Sequence, residues 1–286
     1  MRLRTDALLE VLEGIAPALL AEDWDNIGLI VGHPAEEVRG ILIGLDPSNE
    51  LLTQAGELHC NTVITHHPAI FHPLKRLVHD LPQAALLRQA TRADVQLIAC
   101  HTNLDNVRGG LNDLLAEALG LTDCRPLQPL AAGAGAGAGE GAGRIGELAQ
   151  PLAAEEFLGL VEAALSPPWL LAAGRPPQTI RRVALCGGSG SALTESAWRL
   201  GAEVYLTSEV KHADARWAEA AGLWLLDAGH FATEVPVVAA LSGRLQQSLC
   251  QAGFDIPIHI AREHPPLRLL SSGNSRRPSH VSGEHA

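Results

Sequence analysis

Residues 62–68 read Thr-Val-Ile-Thr-His-His-Pro, a short apolar strand that ends in two adjacent histidines and a proline. Proline cannot donate a ladder hydrogen bond, so we expect the strand to stop here and the chain to turn. Adjacent side chains on a regular strand point to opposite faces, but in a turn both can point into one cleft. Taken alone, His66 and His67 are explained equally well as one capping and one surface histidine.

Further histidines and carboxylates occur where other predicted strands end. In open α/β sheets, sites form beyond the carboxyl ends of the strands, so these side chains are expected to converge. Imidazole together with carboxylate suits Zn²⁺, Mn²⁺ or Fe²⁺. Each position also has an ordinary explanation by itself, such as a loop carboxylate bonded to its own backbone or a solvated histidine. The residues concerned are Asp46, His66-His67, His101 to Asp105, Glu209 to His212, and His230 with Glu234.

Apolar strands alternate with helical patterns along the chain, which predicts an α/β fold with mostly parallel, covered sheets. We expect an N-terminal α/β lobe over residues 1–125 and a C-terminal α/β lobe over residues 179–270. Residues 126–178 are predicted to form a Gly/Ala-rich loop and a Pro-rich linker, with a helix from Ala154 to Leu165 between them, and residues 271–286 a disordered polar tail. The Gly/Ala repeat is not a phosphate-binding loop, because no apolar strand enters it and no lysine follows.

Composition narrows the class of protein. The 286 residues are 47% hydrophobic and 19% charged, which is typical of a globular chain. The formal charge of −11 argues against general nucleic-acid binding, but not against a small phosphorylated ligand held by a metal. The five cysteines show no C-x-x-C spacing, which argues against a disulfide framework or a thiolate zinc cluster. No apolar run approaches the ~20 residues that span a bilayer, so we expect a cytoplasmic protein that does not bind membranes.

Two local patterns leave more than one interpretation open. His230 and Glu234 are four residues apart: in a helix they share one face, and if the helix begins only at Thr233, His230 is a loop ligand. In either arrangement Glu234 can bridge two ions. The glycine-rich turn 187–190 is either a sharp strand-to-helix connection or a place at a helix N-terminus that attracts phosphate. Trp24 is predicted to be a core or interface aromatic.

Five motifs occur in a fixed order along the chain: DWDNIGL at 23–29, THHP at 65–68, HTNLD at 101–105, GGSG at 187–190 and GHFATE at 229–234. No one motif is specific, but the ordered set resembles the YbgI-type dinuclear-metal family, whose members are called GTP cyclohydrolase 1 type 2 homologues. The resemblance covers nearly the whole chain. It is to the short form, because only a loop and linker occupy residues 126–178, where some relatives carry an inserted domain. Residues 254–270 depart from the family's usual ending.

This resemblance implies a two-lobed α/β fold with a metal site in the cleft between the lobes. It also implies two divalent metal ions as cofactors, their identity (Zn, Mn or Fe) left open, and assembly into a homohexamer. Glu234 is the implied bridge between the ions. Residue by residue, the metal ligands of the family fall on His66, His67, Asp105, His230 and Glu234.

The first functional hypothesis is a metal-dependent hydrolase resembling GTP cyclohydrolase 1 type 2. Metal-activated water would attack C8 of GTP, open the guanine imidazole ring and release formate. Position alone suggests Glu209, His101 and His212 as proton-transfer groups. One alternative is hydrolysis of another phosphorylated or amide-like small molecule on the same metals. The other is a non-enzymatic metal-binding or interaction scaffold, since function belongs to the site and not to the fold.

Overall fold

The computed structural model describes residues 2–130, 137 and 139–270. Apart from residues 137 and 139, the predicted flexible Gly/Ala repeat at 132–139 lies outside the described residues. The predicted disordered tail at 271–286 lies wholly outside them. No helix in the described part of the chain is both long enough and apolar enough to cross a membrane.

The first half of the chain forms alternating helices and short strands. Ser48 caps the helix Asn49–Glu57, because its hydroxyl accepts a hydrogen bond from Leu51 N at 3.0 Å. The elements are α1 (Thr5–Ile15), β1 (Gly28–Val31), β2 (Ile41–Gly44), α2 (Asn49–Glu57), β3 (Thr62–Thr65), α3 (Pro82–Arg92), β4 (Gln96–Ala99), α4 (Thr102–Asn106) and α5 (Leu111–Ala118).

The second half continues the alternation with longer strands. Pro236 stands in the first turn of the last helix, where its missing N–H is not needed for hydrogen bonding. The elements are β5 (Leu121–Arg125), β6 (Gln128–Pro129), β7 (Gly141–Ala142), β8 (Arg144–Leu152), α6 (Ala154–Leu165), β9 (Leu171–Ala173), β10 (Ile180–Leu185), α7 (Thr194–Arg199), β11 (Val204–Thr207), α8 (His212–Ala221), β12 (Trp224–Asp227), α9 (His230–Glu234), α10 (Pro236–Gln251) and β13 (Ile258–Ile260).

The first sheet has five strands in the order β1-β4-β3-β2-β13, and of these described strands only β1 runs antiparallel to its neighbour. Every residue of β2, β3 and β4 is buried, as expected for parallel strands with helices on both faces. Leu42 and Val63 pack towards α2 and α3 on one face. Ile43 and Ile64 face the opposite side, where α1 and α10 complete the main core. This sheet is mostly parallel and covered, as predicted.

The second sheet has six strands in the order β5-β8-β10-β11-β12-β9. Its centre, β10-β11-β12, is parallel, whereas β5, β8 and β9 pair antiparallel. The antiparallel strands lie towards the sheet margins, where solvent reaches one face, and β5 exposes four of its five residues. Val183 and Leu206 share the main core with the first sheet. The α/β class is confirmed, and the second sheet is mixed.

The sheets do not follow the divisions drawn from the sequence. Residues 121–125 fall in the predicted N-terminal lobe but pair as β5 in the second sheet, and β13 returns to the first sheet beside β2. Within residues 126–178 the predicted helix Ala154–Leu165 is present as α6, whereas the strands β8 and β9 were not predicted. Gly146 and Pro151 have low β-strand propensity, so the sequence of β8 did not indicate a strand. The predicted lobe boundaries stay a prediction.

Candidate metal centre

The five predicted metal ligands converge at one place between the two sheets. His66 and His67 follow β3, Asp105 lies on α4, and His230 and Glu234 lie on α9. His66 Nε2 is 3.4 Å from Asp105 Oδ1, and Glu234 Oε2 is 3.1 Å from His67 Nε2 and 2.8 Å from His230 Nε2. Their roles as ligands stay a prediction, but their proximity is a property of the fold.

The turn after β3 directs both adjacent histidines to the same side. The chain remains paired with the segment after β2, because His66 N donates to Gly44 O and His67 N donates to Leu45 O. Thr65 Oγ1 closes the turn by donating to His67 O at 2.7 Å. The two imidazole centroids are 5.1 Å apart, so the pair enters one cleft as the turn interpretation predicts.

The segment from His230 to Glu234 is helical, which decides between the two arrangements left open by the sequence. Both side chains therefore share one helix face. Gly188, in the glycine-rich turn, has φ +62° and lies so close to Glu234 that a β-carbon would collide with the carboxylate. Its N–H donates to Thr233 Oγ1 on the same helix. The glycine turn thus makes room for Glu234, a structural role.

Each histidine of the cluster is oriented through its Nδ1 atom. With Nδ1 bonded to a fixed acceptor, Nε2 is turned towards the other histidines and the carboxylates, an arrangement typical of metal-binding imidazoles. The acceptors lie 2.8–2.9 Å from Nδ1: Cys100 O for His66, Asp46 Oδ1 for His67, Asp25 Oδ1 for His101 and Glu209 Oε1 for His230.

Charge and burial pull the pKa values in this cluster apart. Burial lowers the pKa of His66 to about 3, so its imidazole is neutral. Burial also acts to lower the pKa of His67, but contacts with Asp46 and Glu234 outweigh it and raise the value to about 10. For Asp105, burial and the nearby charge of Glu234 raise the pKa well above its usual range.

His230 and Glu234 shift each other's pKa in opposite directions. Burial acts to lower the pKa of His230, yet Glu234 and Glu209 raise it to about 9. Burial acts to raise the pKa of Glu234, but contacts with His230 and His67 hold it well below its usual range. The buried carboxylate of Glu234 therefore pairs with both imidazoles, whose other ring nitrogens face Asp46 and Glu209.

Two buried polar atoms of this cluster, His66 Nε2 and Asp105 Oδ1, lie 3.4 Å apart and form no hydrogen bond with any described residue, while Glu234 Oε2 lies within 3.1 Å of the Nε2 atoms of His67 and His230. An unsatisfied buried polar atom costs about 1–3 kcal/mol, so two such atoms beside a buried carboxylate require an explanation. Nitrogen and carboxylate oxygen are suitable donors for a divalent transition metal. A cation between them would satisfy both atoms, and the residues present therefore fit a metal.

The cluster contains two overlapping groups of potential ligand atoms, and within each group the atoms lie within 4.8 Å of one another. One consists of His66, His67 and His101, and the other of His67, His230 and Glu234. His67 belongs to both groups, which gives the site an elongated shape. This arrangement could hold a metal ion. It also includes His101, predicted from the sequence as a proton-transfer group, among the potential ligands.

The remaining predicted proton-transfer residues lie in different positions. Glu209 is bonded to His230 Nδ1 and so faces the outer side of the cluster. His212 is exposed at the start of α8 and lines a separate depression with Leu171 and Asp227. The structure therefore does not bring His212 into the cluster, because α8 turns away directly after β11.

Asp25 has a role that the sequence patterns did not reveal, although it lies within the DWDNIGL motif. The Asp25 side chain is fully buried and accepts hydrogen bonds from His101 Nδ1, Thr102 N and Thr102 Oγ1. Burial acts to raise the pKa of Asp25, but these hydrogen bonds outweigh it and lower the value to about 2. The sequence feature that could have indicated this role is the position of Asp25, an acidic residue in a polar run just before a strand.

The cluster opens into a cleft with a volume of about 590 Å³. Trp24 lies at this cleft with 58% of its surface exposed, and Phe71 beside it is 42% exposed. Trp24 is therefore not a core residue. The loop that carries it is held to the cleft by Asp25, so its ring remains in solvent.

The fold and the site together define an α/β protein with a buried His/carboxylate cluster able to hold metal. The model of the DUF34/NIF3 family (NGG1p interacting factor 3) matches residues 3–266. The chain belongs to this family, and the resemblance drawn from the motifs is confirmed.

Individual relatives show the same likeness over most of the chain. It is 30% identical over 266 residues to the GTP cyclohydrolase 1 type 2 homolog of Clostridium perfringens, an alignment covering 91% of this chain and 97% of that protein. The solved structure of protein ybgI is 27% identical with a TM-score of 0.79, covering 93% of this chain and all of that one. A Bacillus cereus protein related to NIF3 has the same fold, with a TM-score of 0.87 at 24% identity, covering 94% and 99%.

Proposed function

We propose that this protein is a metal-dependent hydrolase that uses two divalent ions held by His66, His67, Asp105, His230 and Glu234. The observation that carries the proposal is the convergence of buried ligand atoms on His66, Asp105 and Glu234, of which His66 Nε2 and Asp105 Oδ1 form no hydrogen bond among the described residues. The two overlapping groups of ligand atoms, which share His67, are compatible with two adjacent ions. The C. perfringens relative, named a GTP cyclohydrolase 1 type 2 homolog, supports a hydrolytic class.

Bound divalent ions supply Lewis acidity and lower the pKa of water to about 7, which is the chemistry that hydrolysis requires. The chain's own residues prepare the site for it. Asp46 and Glu209 fix the orientations of His67 and His230, so their Nε2 atoms need no reorganisation on binding. Asp25 fixes His101 in the same manner, which leaves His101 Nε2 to accept or donate a proton at the cleft.

The first substrate candidate is GTP: one water adds at C8 and opens the imidazole ring to a formamide, and a second water hydrolyses this formamide to release formate. The test is turnover of GTP by protein loaded separately with Zn²⁺, Mn²⁺ and Fe²⁺, with formate and metal content measured on the same samples. Formate production that is lost in Asp105→Asn would support the assignment. Full metal content with no formate under any of the three metals would refute GTP as the substrate and leave the metal site standing.

A second candidate is hydrolysis of a ring or amide compound that carries no polyphosphate. It is favoured because no lysine or arginine occurs among the residues that line the described cleft. Triphosphates are usually bound by such cations in addition to a metal. A panel of nucleosides, nucleobases and cyclic amides, assayed beside GTP with the same loaded protein, distinguishes the two candidates.

Assembly as a homohexamer is part of the proposal. The loop after His67 exposes four large apolar side chains that a partner subunit could cover, which supports association. Light scattering coupled to gel filtration gives the mass directly. The residues concerned are Leu74, Leu77, Val78 and Leu81.

A further inference from the structure

Two exposed aromatic side chains lie next to each other at the mouth of the cleft. Trp24 and Phe71 have ring centroids 5.5 Å apart and planes inclined by 49°, so they form an aromatic corner in which a flat molecule can stack on one ring and contact the other. Aromatic residues make up only 3% of this chain, and these two are 58% and 42% exposed. Burying a large ring is strongly favourable, so leaving two in solvent side by side indicates a surface that a ligand covers.

The aromatic corner is held in place by polar contacts from both loops. Asn26 Nδ2 donates to Ile70 O at 2.6 Å, which ties the loop of Trp24 to the loop of Phe71. Asp25, the neighbour of Trp24, is bonded to His101 and Thr102 at the metal centre. The two rings are therefore positioned before any ligand arrives, which lowers the entropic cost of binding.

The same corner adjoins the proposed metal ligands. The His101 ring centroid is 6.0 Å from both Trp24 and Phe71, and it is 5.2 Å from His66 and 5.5 Å from His67. A flat molecule held against these two aromatic rings would thus lie beside His101, which itself adjoins His66 and His67.

Charge restricts what this flat molecule can carry. The described cleft is lined by the carboxylates of Glu22, Asp105, Glu209 and Glu234, and by no lysine or arginine. Gln128 is exposed at the same cleft and can exchange hydrogen bonds with a heterocycle edge. A polyphosphate would meet repulsion here wherever it did not touch metal, whereas a neutral heterocycle would not.

We propose that Trp24 and Phe71 form a stacking platform for a planar nitrogen heterocycle, and that the ligand is a nucleobase or nucleoside without a polyphosphate. The choice of guanosine as first probe rests on the proposed hydrolytic function. The platform itself does not, because it requires only that the ring lie against Trp24 and Phe71 with its edge towards His101.

Binding can be tested without turnover by calorimetry on the metal-loaded and the chelator-treated protein. The probes are guanosine, adenosine, cytidine, GTP and inorganic triphosphate. We expect at least one nucleoside to bind, and Trp24→Leu to weaken it about tenfold, the effect of losing one base–aromatic stack. Trp24→Phe should restore most of the affinity. Trp198→Leu is the matched control, since Trp198 is 45% exposed and lies on α7, away from the cleft, and it should bind as the wild type does.

Three results would overturn the platform: wild-type protein binding none of the nucleosides, Trp24→Leu binding them unchanged, or inorganic triphosphate binding as tightly as GTP to the chelator-treated protein. Metal content of each variant, measured on the same samples, shows that the site is intact. Nucleoside binding through Trp24 without any hydrolysis would refute the proposed function and leave this inference standing. Hydrolysis at an unchanged rate in Trp24→Leu would support the proposed function and refute the stacking platform.

Discussion

Gly188 and Glu234 are in such close contact that no β-carbon fits between the backbone of one and the carboxylate of the other. The residue at 188 also has a positive φ of 62°, which favours glycine. Two separated parts of the chain therefore depend on each other: the glycine-rich turn after β10 gives the α9 carboxylate its place among the histidines.

Gly188→Ala is expected to displace the Glu234 carboxylate and to weaken metal binding more than tenfold, the scale seen when a group supporting a metal ligand is lost. Metal per chain, measured by mass spectrometry after dialysis against a weak chelator, reports the effect. Gly222→Ala is the matched control, because Gly222 has φ +76° and no atom of the described residues lies within 4 Å of where its β-carbon would be. Both variants carry the same backbone strain, so equal metal loss in both would contradict the steric explanation.

Asp46→Asn and Glu209→Gln are each expected to reduce metal affinity by about 10- to 100-fold. Neither residue is a proposed ligand, but they hold Nδ1 of His67 and His230 at 2.8 Å. Competition with a coloured chelator gives the affinities. Glu195→Gln, which changes only an exposed pair with Arg199 on α7, should retain the wild-type value. Unchanged affinity in both Asp46→Asn and Glu209→Gln would show that metal binding does not depend on the hydrogen bonds to Nδ1 of His67 and His230.

Stability should depend on pH through Asp25. Its pKa falls from the ordinary 3.8 to about 2 in the folded protein, so the stabilisation is complete above pH 4 and is lost as the pH falls towards 2. The shift corresponds to about 2 kcal/mol. In urea unfolding of metal-free protein, the free-energy difference between wild type and Asp25→Asn should be constant from pH 7 to 5 and should shrink below pH 4. A difference that grows on acidification would reverse the assigned sign.

Arg144 is expected to be the most sensitive charged residue outside the metal centre. Its side chain is 1% exposed and is bonded to Asp113, Gly141 O and Gly143 O. Arg144→Met should lower the free energy of unfolding by about 3 kcal/mol, because Asp113 and two carbonyls lose their partner. Arg199→Met removes an exposed ion pair and should cost less than about 1 kcal/mol. Equal losses in the two variants would mean that burial does not set the cost.

The sequence predicted which side chains come together in the cluster better than it predicted the sheets that carry them. His66, Asp105 and His230 were found from a local rule, that polar groups following parallel strands gather at one edge. This rule needs no knowledge of which strand neighbours which. The family resemblance then reduced the candidate metal ligands to five positions.

The parts that escaped prediction depend on contacts distant along the chain. Asp25 orients His101 across 76 residues, and no local pattern encodes that pairing. β8 was missed because its antiparallel pairing with β10, and not its own propensity, makes it a strand. Of the two predicted places for Trp24, core or interface, the structure excludes the core, because the fixed loop around Asp25 keeps its ring in solvent.

The last strand has a consequence for how the protein is made. β13 joins the first sheet beside β2, and Glu263 just after it accepts hydrogen bonds from Leu45 N and Asp46 N, which lie 217 residues or more earlier. While the chain emerges from the ribosome, β2 remains an open edge and the segment bearing Asp46 lacks its anchor. The His/carboxylate cluster therefore reaches its final form only at the end of synthesis, later than the first helices and strands can fold.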